Sequence, residues 1–80
     1  MQTFDRASLR AQYEQTLHRL AAALELEYAE VKSMFGDIGT ASVRAEKILG
    51  FFKSPEINQT LQEVIRISQE FLGVFKETTR

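Results

Sequence analysis

Apolar residues recur with a helical period along three stretches of the chain, separated by two groups of breakers. In the first stretch Leu9, Tyr13, Leu17, Leu20, Leu24, Tyr28, Val31 and Phe35 follow one another in steps of 4, 4, 3, 4, 4, 3 and 4. The mean step is about 3.7 residues, close to the 3.6 of a straight α-helix and above the 3.5 that winds helices into a left-handed supercoil. The pattern predicts one long, nearly straight helix over about residues 5–35. Thr3 or Asp5 would supply its N-cap oxygen, and Gly36 would end it at a position that needs positive φ.

The second stretch, about 40–53, starts at Thr40 as an N-cap and places Ala41, Ala45, Ile48, Leu49 and Phe52 on one arc of a short helix. The third opens on Ser54-Pro55-Glu56, the clearest local signal in the chain. It combines a capping hydroxyl, a proline whose missing N–H costs nothing in a first turn, and an acid facing the positive end of the helix dipole. That helix should run from about 55 to 77. Ile57, Val64 and Phe71 share its inner face with Leu61, Ser68 and Phe75, flanked by Ile65 and Leu72 on one side and by Ile67 and Val74 on the other. This arc takes up about half the circumference, wider than the seam of a two-stranded coil. Glu56, Glu63, Glu70 and Glu77 repeat every seven residues on the opposite face, a solvated row partly neutralised by Arg66 and Lys76.

These elements predict an all-α fold: an antiparallel bundle of three helices forming one domain over residues 1–80. At 1.5 Å per residue the helices would be roughly 45, 20 and 35 Å long. The short one can cover only one end of the long pair. The N-terminal half of the first helix, and the facing part of the third, are therefore expected to keep apolar surface that a two-fold homodimer would bury.

Composition narrows the picture. The 80 residues are 44% hydrophobic and 26% charged with a net charge of -1, outside the range of disordered chains. With no Cys and one His, neither a disulfide nor the usual Cys/His zinc site can reinforce a core that at this size supplies only about 3–5 kcal/mol. No apolar run approaches the roughly 20 residues of a membrane span, and residues 1–6 lack the apolar core of a secretory leader. A cytoplasmic location is expected.

Candidate chemistry is sparse. His18 lies at the edge of the first apolar stripe with Glu14 one turn earlier, a pairing that reads as surface histidine. Gly36-Asp37-Ile38-Gly39 follows a helix rather than a strand and lacks the lysine of a phosphate loop, so it reads as a helix–helix turn. Glu25, Glu27 and Glu30 lack the Glu-x-x-His pattern of a bundle-core metal site. No enzyme activity, metal or cofactor is expected. Nucleic-acid recognition by a helix-turn-helix would place the third helix in a groove, and that segment is net acidic. Arg44, Lys47 and Lys53 form the only basic cluster.

What remains is recognition of a protein partner by helix packing, or of a second copy. Leu26 lies on the polar side of the first helix and Val43 is displaced on the second. Ile67 and Val74, a heptad apart beside Phe71, read as a second apolar ridge. Leu26, Ile67, Phe71 and Val74 are thus the expected partner-binding residues. Arg10 falls inside the first apolar stripe, where it would snorkel or pair with Glu70 or Glu77. The functional expectation is a small adaptor, chaperone or inhibitor subunit without chemistry of its own. The alternative is a nucleic-acid-associated regulator using Arg44, Lys47 and Lys53.

Overall fold

The structure, a computed structural model, describes residues 6–78, with side chains described through residue 73. The fold is all-helical: α1 (Arg6–Leu24), α2 (Tyr28–Phe35), α3 (Ala41–Ile48) and α4 (Pro55–Thr78). Where one long first helix was expected, there are two. The N-cap expected at Thr3 or Asp5, and the side chains of Val74, Phe75, Lys76 and Glu77, lie outside the described residues.

The break at residues 25–27 is a Schellman-type ending. The Leu26 N–H donates to Ala21 O (2.9 Å) and the Glu25 N–H to Ala22 O (3.2 Å), the pair of bonds that satisfies the last carbonyls of a helix. Glu25 sits at the C′ position with φ 60, the one non-glycine residue with positive φ among those described. Restarting the chain, Glu30 Oε1 accepts the Glu27 N–H at 3.1 Å. Glycine is the usual occupant of this C′ position, because a Cβ there costs about 1 kcal/mol. Glu25→Gly is therefore expected to stabilise the chain by about 0.5–1 kcal/mol, read as a higher urea midpoint at unchanged slope.

From the break, α2 runs back along α1. The Tyr13 hydroxyl donates to Gly36 O at 2.9 Å, so the end of α2 lies beside the N-terminal half of α1. Gly36 closes α2 as expected, with φ 70 and its N–H on Lys32 O. Asp37 then shapes the turn, its Oδ2 accepting the Gly39 N–H at 3.1 Å. Because α2 and this turn fold back, Leu9, Tyr13 and Leu17 are buried within the chain. The apolar surface expected to be left open there is covered.

The second expected helix is shorter than its pattern suggested. It stops at Ile48, Leu49 turns extended, and Gly50 takes φ 85. Asn58 holds this connection to α4: its Oδ1 accepts the Gly50 N–H (3.0 Å) and its Nδ2 donates to Phe52 O (2.8 Å). As the sequence predicted, Ser54 caps α4, its Oγ accepting the Ile57 N–H at 3.3 Å. Within the glutamate row beyond, Arg66 bonds Glu63 (2.9 Å) and Glu70 (3.0 Å).

α4 is the central element, packing along α1 on one side and α3 on the other. Contacts between the end of α1 and the start of α4, and between Arg10 and Phe71 at the other ends, make that pair antiparallel. Successive helices alternate in direction, within extents of 40 × 24 × 20 Å. The core joins Leu9, Tyr13, Leu17 and Leu20 of α1 to Val31 and Phe35 of α2, Ala41 and Ala45 of α3, and Ile57, Leu61, Val64, Ile67 and Phe71 of α4. Ile38, in the α2–α3 turn, is buried with them. Among the described residues no helix is long and apolar enough to cross a membrane.

Candidate partner-binding groove

α3 is too short to bury much: Ala41 and Ala45 are the residues it presses fully into the core. Its other faces stay open, and where they meet the end of α2 they leave a groove of about 650 Å³. Met34 and Phe35 line one wall, and Thr40, Val43, Arg44, Lys47 and Ile48 the other. Val43 is 57% exposed and Met34 41%. Arg44 reaches across to donate from Nη1 to Met34 O at 3.2 Å, which satisfies a C-terminal carbonyl of α2. Neither Arg44 nor Lys47 is ion-paired with a carboxylate among the described residues. The groove thus combines exposed aliphatic surface with two cations.

The residues expected to form a ridge are separated by the fold. Ile67 is 1% exposed and Phe71 is buried: in the closed chain both belong to the core and form no exposed ridge. Their burial has a simple cause, since a helix flanked on two sides needs a broad apolar arc. Val74 lies outside the described side chains. Leu26 is exposed, but it lies within the α1–α2 break rather than on a continuous helix. Of the basic cluster, Arg44 and Lys47 share the groove, while Lys53 is exposed in the α3–α4 connection beyond the end of α3. Phe51, in the same connection, is 81% exposed and meets Phe52 edge-on at 5.9 Å. Sequence reasoning missed Met34, because it stands off the apolar stripe of a helix taken as continuous.

Glu77 lies outside the described side chains, and Arg10 does not pair with Glu70. Its guanidinium lies over the Phe71 ring at 5.2 Å and 4.0 Å from Asp37, while Glu70 is held by Arg66. His18 stacks face to face on Tyr28 across the α1–α2 break, ring centroids 3.9 Å apart. Thr40 does occupy the N-cap of α3, yet it makes no side-chain cap bond, its hydroxyl turning back to Asp37 O. The cap comes from elsewhere: Ser68 of α4 accepts the Ser42 N–H at 3.2 Å and donates to Ile38 O at 2.6 Å.

Tyr13, buried and bonded to Gly36 O, ties the end of α2 to α1. Burial, with the nearby Asp37 carboxylate second, pushes its phenol up to about 12. Because the folded chain holds the proton more tightly than the unfolded one, this group's contribution is complete below about pH 10. It is lost as pH climbs from 10 towards 12. Two pKa units correspond to about 2.7 kcal/mol at most. Exposed Asp37 beside the hydroxyl reduces that to about 1–2 kcal/mol through screening by water. Urea midpoints should fall over this range, and Tyr13→Phe should flatten the decline.

No family model, curated protein or solved structure matches this chain.

Proposed function

We propose that the protein is a small helical interaction module that works without chemistry of its own. The α2–α3 groove would receive an amphipathic helical segment bearing acidic residues. The observation that carries this reading is one surface on which exposed Met34 and Val43 adjoin Arg44 and Lys47, two cations without carboxylate partners among the described residues. Aliphatic anchors supply burial, and flanking cations select the charge of the incoming helix. An adaptor, chaperone or inhibitor subunit would act through such contacts. The homodimer expected from the sequence is proposed on a different basis, the break at Glu25.

Affinity capture from the native cell, with intact-mass measurement of the complex, tests the groove. A protein of fixed stoichiometry should be retained at high salt and lost on Val43→Glu, a substitution at an exposed position that should leave the helix content unchanged. A loss of about tenfold or more in affinity is expected from one charged intrusion among the anchors. Captured nucleic acid whose binding falls steeply with salt, and with Lys47→Glu, would overturn this reading in favour of a nucleic-acid regulator.

A further inference from the structure

The break between α1 and α2 stands where the sequence has every reason to continue. Taken as one helix at 100° per residue, Leu9, Tyr13, Leu17, Leu20, Leu24, Tyr28, Val31 and Phe35 all fall within an arc of about 100°. The interruption leaves the phase of that stripe intact. Leu24, Glu25, Leu26 and Glu27 are residues that favour or tolerate helix, with no glycine or proline among them. The chain turns back only by placing Glu25 at φ 60, a conformation that side chains bearing Cβ rarely adopt. Local preference and the folded-back arrangement thus conflict at one residue, as at hinges that open in exchanged dimers.

The contacts that fold α2 back across the hinge are made to α1, among them Tyr13 to Gly36, Arg10 to Asp37 and the His18 ring on Tyr28, while those to α3, such as Arg44 to Met34, stay on the same side of it. A second copy presents the same α1 with the same residues. We propose that residues 25–27 are a hinge and that this chain pairs with a copy of itself by exchanging α1. In the dimer α1 and α2 form one continuous helix of residues 6–35, about 45 Å long. The α1 of each chain lies against α2 and α4 of the other. The core contacts of α1 with α2 and α4 are remade between chains, and those of α3 with α2 and α4 stay within one. Two differences decide the balance: relief of the positive φ at both hinges, and the entropy of association. The equilibrium therefore depends on concentration. This inference rests on the dimer reading above and is independent of the groove, whose residues, 34–48, all lie on one side of the hinge.

The test uses the full chain. Light scattering coupled to size exclusion, after refolding from tens of micromolar to millimolar, should show a dimer fraction that grows with concentration. Glu25→Ala, which favours continuous helix, should raise the association constant, and Glu25→Gly, which favours the turn, should lower it. With two hinges per dimer the expected change is about tenfold to thirtyfold for Glu25→Gly and roughly threefold for Glu25→Ala. Because the chain has no cysteine, the doubly substituted His18→Cys, Tyr28→Cys chain reports which chains the stacked positions join. A short bifunctional thiol reagent applied to the isolated dimer should link two chains. Links confined within single chains of a dimer would overturn the exchange while leaving the dimer reading standing. A monomer at every concentration, for the parent and for Glu25→Ala alike, would remove both.

Discussion

Ile67→Glu is expected to leave the chain unfolded at neutral pH, with helix content lost in circular dichroism. Ile67 is 1% exposed and sits in the core of α4, so the substitution removes an aliphatic side chain and puts an unpaired carboxylate in its place. Leaving a charge there costs several kcal/mol, of order 4 or more. In a chain of this size without a disulfide a single core supplies only about 3–5 kcal/mol. Ile67→Ala gives the graded form of the same result, a loss of about 2–4 kcal/mol from the cavity alone. A ridge residue exposed for a partner would give the opposite pattern: unchanged stability for both variants, with only binding lost. Retention of the native urea midpoint in Ile67→Ala would refute the packing described for α4.

Ser68→Ala should cost more than the loss of one small polar group suggests, about 2–4 kcal/mol. The Ser68 hydroxyl is fully buried and uses both of its capacities, accepting from Ser42 N–H and donating to Ile38 O. Without it a donor and an acceptor stay behind in a site from which water is excluded, each worth about 1–3 kcal/mol when unsatisfied. The first turn of α3 also loses its cap, since Thr40 makes none. Thr60→Ala is the control. That hydroxyl bonds Glu56 O within its own helix at 2.9 Å, so its removal strands no donor or acceptor from another element and should cost less than about 1 kcal/mol. Similar midpoints for the two alanine variants would show that the Ser68 bridge contributes little.

The features that could be read from the sequence are those whose causes are local. Ser54-Pro55-Glu56 fixed the start of α4 because capping hydroxyl, proline and acid act within one turn. Gly36 was recognisable as a helix end because few other residues tolerate its backbone. The end of α1 carries no such mark: its C′ residue is Glu25, and the apolar stripe passes through it undisturbed. Gly50 falls inside the second predicted helix, about 40–53, yet the bond from its N–H to Asn58, eight residues on, belongs to a connection that the period alone does not reveal. Ser68 looked like a polar gap in an apolar arc, since its partners lie 26 and 30 residues away. Part of the candidate groove was visible in Val43, Arg44 and Lys47. Its other wall was not, because Met34 reaches that position only after the chain has turned back at Glu25.

The central position of α4 also governs the order in which the protein can fold. The helix that packs most extensively on α1 begins at Pro55, so the two halves of the main interface are distant along the chain. At translation rates of about 5–20 residues per second, α1 waits for several seconds on the ribosome before its principal neighbour has been made. During that interval its stripe of leucines can be covered only by α2, a helix of eight residues. Consolidation of the core is therefore a late event in biosynthesis.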